Sequence, residues 1–144
     1  MMTPREYLIS IGVKDTAHSN RTFYEHLCNV EEILKICRVD KDVILAGLYH
    51  SIYGTNYFPS QTTDNRNAIK NVIGERAEYL VWIFCNAQRP FCWFCGNKIV
   101  LTDGSFVLVD NKTLHDLQMI EGANLLEQQC GTNIIVSFFA KNGE

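Results

Sequence analysis

Nothing in this chain approaches the run of about 20 apolar residues that a membrane-spanning helix needs, so no membrane partner is expected. The first residues, MMTPREYLISIGVKD, lack a basic stretch followed by a long apolar one, so no signal peptide is expected either. No group of lysines and arginines is dense enough to track a phosphate backbone. With a net charge of −3, nucleic acid is not expected as a main partner. Repeats, low-complexity tracts and linkers are absent. Cysteine is present but not clustered: Cys28, Cys37, Cys85, Cys92, Cys95 and Cys130 are spread through helical and apolar patterns. That usage excludes a small disulfide frame and suits reduced thiols in a cytoplasmic protein. The single CxxC, Cys92 and Cys95 in PFCWFCGN, has no second pair to complete a zinc site. It follows a helical pattern and Pro90 instead of a strand, so it reads as a buried apolar turn around Trp93 and not as a redox motif.

What is there is globular. Apolar residues make up 47% and charged residues 20% of 144 positions, the composition and size of one domain spanning residues 1–144. TPRE opens a short helix, with Thr3 as N-cap, Pro4 at the first helical position and Glu6 closing a capping box, and Gly12 stops it. Thr22 and Glu25 repeat the capping pattern. Phe23, His26, Leu27, Val30, Ile33, Leu34 and Cys37 then recur at helical spacing, which predicts a helix over 22–37. After the short link RVDKD, Asp40 caps a helix expected to run from 41 to Gly54. So brief a connection makes the two helices antiparallel neighbours. Thr62 or Thr63 is expected to cap a helix ending at Gly74. ERAEYLVWIFCNAQ follows as another, burying Ala77, Leu80, Val81, Phe84 and Cys85. KIVLTDGSFVLVD joins two apolar runs through Asp-Gly, a hairpin near residues 98–109. Thr113 and Asp116 open a last helix to about 129. TNIIVSFFA fits a strand or a helix equally. The expected fold is all-α, mostly helical, with one small β-hairpin between the fifth and sixth helices.

Two histidines lie on the inward faces of consecutive helices. His26 shares its stripe with Phe23, Val30 and Ile33; His50 follows Ala46 and Gly47, whose lack of bulk lets a neighbouring helix come close. Imidazoles meeting between packed helices can hold a transition metal. On spacing alone, the plainer reading is that each is a core or boundary histidine with satisfied hydrogen bonds. His115, near the start of the last helix, reads as solvent-facing or as a local hydrogen-bond partner.

HLCNVEEILKICRVDKDVILAGLYHSIYGT resembles the HD-domain superfamily of metal-dependent phosphohydrolases, and is most similar to the hydrolase domain of the RelA/SpoT alarmone enzymes. In that pattern a histidine opens a helix of the form H-x-x-x-V-x-x-I-L, a short acidic link follows, and the next helix ends in A-x-L-x-H-D. Here these are His26, Val30, Ile33 and Leu34, then RVDKD, then AGLYHS. HSNRTFY resembles the family's lead-in, and NVIGERAEYLVWIF its FGEEVARLV helix. EGANLLEQ falls where the family carries its last ligand, in A-D-x-L-H-N. The likeness covers roughly residues 17–87 and 117–128. It implies an HD-like fold and a divalent metal acting on a phosphate ester or nucleotide.

The departures from that pattern are two. Ser51 stands where the family has the aspartate of its His-Asp pair, and Asn124 stands for the distant aspartate. Each lost carboxylate removes on the order of several kcal/mol of attraction for a cation even in a screened site, and a hard Mg-type ion loses most. His18 is a candidate third nitrogen ligand for one divalent transition metal (Zn, Fe or Mn), three histidines and water being enough for a catalytic zinc. Glu121 or Glu25 is a candidate base or carboxylate ligand. Ser51 and Asn124 complete the catalytic candidates. Arg21, Tyr53, Thr55 and Gln128, with the histidines, are candidates to bind a small-molecule ligand, with or without metal. The blander alternative is that Ser51 and Asn124 only bond across the helix interface. Three functions follow as expectations: a divergent phosphohydrolase, a catalytically silent HD-like small-molecule-binding or regulatory protein, or an iron-dependent HD-type oxygenase. No oligomeric state follows from the residues.

Overall fold

The computed structural model describes residues 1–18, 21–89 and 91–130, without the side chains of Ala17, His18, Arg21, Phe91 and Cys130. The alternatives left open for TNIIVSFFA lie outside the described residues. Thr3 opens α1 (Pro4–Ser10): its hydroxyl accepts from the Glu6 N–H, and the Glu6 carboxylate accepts from the Thr3 N–H. A 3₁₀ turn (Val13–Asp15) and the minimal antiparallel pair β1 (Ala17–His18) and β2 (Arg21–Thr22) lead into α2 (Phe23–Ile36). Thr22 caps α2 by accepting from the Glu25 N–H at 3.1 Å. The expected stripe is buried through Leu34, but Cys37 sits at the helix cap and is exposed.

The next helix, α3 (Lys41–Leu48), ends six residues short of Gly54. From Tyr49 onward the backbone tightens: Ile52 N–H donates to the Tyr49 carbonyl and Gly54 N–H to Ser51, both three residues back. The apolar pattern continues across this change because Tyr49 and Ile52 stay fully buried in the turns; periodicity alone does not separate an α-helix from successive turns. α4 (Arg66–Ile73) is capped by Asn65, whose side chain accepts from the Ala68 N–H. The expected Thr63 instead accepts from the Asn65 N–H. Gly74, at φ 91°, turns the chain straight into α5 (Glu75–Asn86).

Residues Phe91–Phe94 form a 3₁₀ turn, with the Trp93 side chain 1% exposed as the sequence suggested. The hairpin follows: β3 (Lys98–Val100) pairs with β4 (Phe106–Leu108), Ile99 opposite Val107, around Asp103 and Gly104. The last helix, α6 (Asn111–Cys130), is capped by Asp110, which accepts from the Thr113 N–H at 2.8 Å. Thr113 and Asp116, expected as that cap, accept from the Arg76 guanidinium and tie α5 to α6.

The architecture is mostly helical. α2 lies at the centre, packed by α3 on one side and α6 on another, and α5 covers α3. The core runs through Phe23, Leu27, Val30, Tyr49, Ile52, Leu80, Phe84, Trp93, Leu117 and Ile120. No helix among the described residues is long and apolar enough to cross a membrane. Gly47 fixes the approach of α3 to α2: a methyl group there would run into Leu34 and press Val30. That close approach sets His50, three residues on, beside His26.

Candidate functional site

Several segments deliver polar groups to one cavity of about 420 Å³. α2 supplies His26, the turn after α3 supplies His50, Ser51 and Thr55, and α6 supplies Asn124 and Gln128. The two Nε2 atoms are 3.3 Å apart, and Asn124 Oδ1 lies 3.1 Å from His50 Nε2. Both histidines and Asn124 are almost completely buried.

Each of these side chains is held from behind. His26 Nδ1 is 2.5 Å from Glu127 Oε1, and a carboxylate can only accept, so Nδ1–H donates. Asn29 donates to the other Glu127 oxygen at 2.9 Å. His50 Nδ1–H donates to the Gly47 carbonyl at 2.7 Å, and the Cys85 thiol donates to the His50 carbonyl. Asn124 Nδ2 donates to Glu121 Oε2 at 3.1 Å, which turns its carbonyl toward His50. Glu121 in turn accepts two bonds from Arg89, at 2.8 and 2.7 Å, and one from the Trp93 indole N–H at 3.1 Å.

These contacts leave a shortage of protons. His50 faces three acceptors: the Gly47 carbonyl, the Asn124 carbonyl and His26 Nε2, whose proton-bearing partner nitrogen is turned to Glu127. Neutral imidazole offers one proton. Burial first, and then the neighbouring His26, push the His50 pKa well below its ordinary value, so imidazolium does not supply a second. A proton on His26 Nε2 would satisfy His50 and still leave the Asn124 carbonyl without a donor.

Six of the sequence-predicted residues line this cavity together: His26, His50, Ser51, Thr55, Asn124 and Gln128. Glu121 adjoins it with its carboxylate wholly engaged, and Glu25 is exposed on the outer face of α2. Tyr53 departs from the expectation. Its hydroxyl donates to the buried Glu78, which also takes two bonds from Arg66, because the turn after α3 points this side chain at α5. The side chains of His18 and Arg21 lie outside the described residues. His115 is exposed, as expected. Among the described residues no three His, Cys, Asp or Glu side chains gather as ligands, so the third converging atom is an amide oxygen.

Sequence reasoning missed Arg89, Tyr57, Phe58 and Leu125, which also line the cavity, and Glu127 behind His26. Glu127 did carry a signal: it follows Asn124 by three residues and Glu121 by six, so all three lie toward one buried side of α6. Arg89 carried none, since it lies past the end of α5 where periodicity stops. Ser51 Oγ is 3% exposed at residue level and has no hydrogen-bond partner.

No curated protein and no solved structure matches the chain. One family model does, over residues 7–89, a stretch that contains His26, His50, Ser51, Thr55 and Arg89 and stops before α6. That stretch is more than half of the 144 residues, and the chain therefore belongs to the family described as Domain of unknown function (DUF6817).

Proposed function

We propose that this protein is a divergent HD-like hydrolase of a phosphate ester or nucleotide, whose cavity holds one divalent transition metal on His26 Nε2, His50 Nε2 and Asn124 Oδ1. The observation that carries the reading is the proton shortage at His50: acceptors converge there with too few protons between them, an arrangement that a cation relieves. The spacing agrees. Two nitrogens bound tetrahedrally at zinc-like distances sit about 3.3–3.4 Å apart, against the 3.3 Å between the two imidazoles. The backing groups also fit, because a metal-binding histidine ordinarily donates its other N–H to a carboxylate or carbonyl, the roles Glu127 and Gly47 fill. The order of helices and the placement of both histidines support the HD-like relationship.

A bound divalent ion would supply Lewis-acid polarisation of a phosphoryl oxygen. The chain's own residues orient and enclose. Asn124 is aimed by Glu121 and His26 by Glu127, and the Tyr57 and Phe58 rings line the cavity beside them. With nitrogen and a neutral amide as donors, the site favours Zn, Fe or similar ions over Mg.

A second reading, a catalytically silent binder, is favoured by one observation. Glu121 and Glu127 spend their oxygens on Arg89, Trp93, Asn124, Asn29 and His26, so neither is placed as a general base. Hydrolysis of p-nitrophenyl phosphate and of nucleoside phosphates by zinc-, iron- and manganese-reconstituted protein tests the proposal. Metal-dependent turnover lost in His50→Ala supports the hydrolase. Metal uptake without turnover supports the silent binder, and failure to take up any metal contradicts the metal-holding cavity.

A further inference from the structure

The cavity has a second chemical side. Its floor presents acceptors, His50 Nε2 and Asn124 Oδ1. Three further polar groups can donate into the cavity. Ser51 Oγ is buried without a partner. Thr55 Oγ1 already accepts from the Tyr57 and Phe58 N–H groups, at 3.2 and 2.9 Å, which leaves its own O–H to give. Arg89 commits Nε and Nη2 to Glu121 and lies over the Phe84 and Tyr57 rings, and its Nη1 N–H groups make no hydrogen bond among the described residues. All three residues line the same cavity. A buried hydroxyl without a protein partner, in a cavity that also holds a guanidinium, favours an acceptor bound there.

We propose that Ser51, Thr55 and Arg89 form a subsite for a phosphoryl group, filled together with a divalent cation on the neighbouring acceptor floor. This rests on the metal-dependent hydrolase reading above and adds the residues that recognise the phosphoryl group and its coupling to the cation. Phosphoryl fits better than carboxylate because three oxygens are needed to meet three donor groups and a cation. The coupling follows from charge. Glu121 already neutralises Arg89, so the metal-free cavity offers an anion little net attraction, whereas a divalent ion on the floor adds two positive charges. Cation and phosphoryl group therefore each tighten the binding of the other by the same factor.

Calorimetric titration of the full chain with zinc, and then with phenylphosphonate, tests this. Phenylphosphonate is expected to bind the zinc-loaded protein at least about tenfold tighter than the metal-free protein, and more tightly than benzoate does. Ser51→Ala, which removes an unpartnered hydroxyl and leaves the fold intact, is expected to weaken phenylphosphonate roughly ten- to a hundredfold with zinc affinity little changed. Ser51→Asp is expected to tighten zinc and abolish phenylphosphonate binding, a pair of opposite shifts that a purely structural serine would not give. Phenylphosphonate that ignores the zinc-loaded protein, that binds Ser51→Ala as well as wild type, or that binds no better than benzoate overturns the subsite. If zinc fails to bind but phenylphosphonate binds and Ser51→Ala weakens it, the metal reading falls and the subsite stands without its coupling.

Discussion

Asn124 stands in hydrogen-bond contact with a carboxylate, and this explains why an amide suits its position. Its N–H group donates to Glu121 Oε2, which Arg89 and Trp93 hold in place. An aspartate there would set two carboxylates about 3 Å apart and remove the donor. Asn124→Asp is therefore expected to cost about 1–3 kcal/mol in the metal-free protein, measured by urea denaturation, and zinc should recover more stability for this variant than for wild type. The cysteines make a separate test. Burial pushes the Cys85 and Cys92 thiols up to about 12. A raised thiol pKa means less thiolate at a given pH: at pH 8 about one part in ten thousand is ionised, and reactivity appears only as the pH approaches that value. Iodoacetamide at pH 8, followed by peptide mass analysis, should label the exposed Cys37 and Cys95 and leave Cys85 and Cys92 unmodified in the folded protein. Labelling of Cys92 at the rate of Cys37 would contradict its place in the core.

Among the elements, the contact of α3 with α2 does most to build the site, and Gly47 permits it. Gly47→Ala forces a methyl group into the packed Leu34 and Val30 side chains, an overpacking expected to cost about 1–3 kcal/mol despite alanine's better helix propensity. A chemical denaturation curve checks this; an unchanged midpoint would show that the helices have room to part. Tyr53 serves a different contact, the Glu78 and Arg66 cluster that anchors the loop after α3. Tyr53→Phe should lose about 0.5–1.5 kcal/mol without altering zinc binding. The sequence located these elements well where caps and periodicity agreed, as in α1, α2, α5 and the hairpin. It placed the end of α3 wrongly because buried turns bonded three residues back keep the same apolar pattern as a helix. Asn65 and Asp110 took the capping roles expected of Thr62 or Thr63 and of Thr113, since neighbouring Asx and hydroxyl residues compete for the same N–H groups.

At the scale of the molecule, a mostly helical fold brings residues 26, 50 and 124 into one cavity from two helices and the turn after α3. His26 and His50 were readable as a pair, because helical spacing turned each inward and Gly47 allowed close packing. Ser51, Thr55, Asn124 and Gln128 were readable only through the resemblance. Arg89 was not readable, because it lies in a segment beyond α5 with no periodicity; helical spacing marked the position of Glu127, but its contact with His26 depends on how α6 lies across α2. The central claim is that this convergence is a cation site and not merely packed histidines. The most direct measurement is the metal content of the reconstituted full chain, by elemental analysis after gel filtration, for wild type and His50→Ala. The account predicts one equivalent of zinc or another divalent transition metal in wild type and its loss in the variant. Wild type that stays free of metal, or a variant that retains the full equivalent, would contradict it.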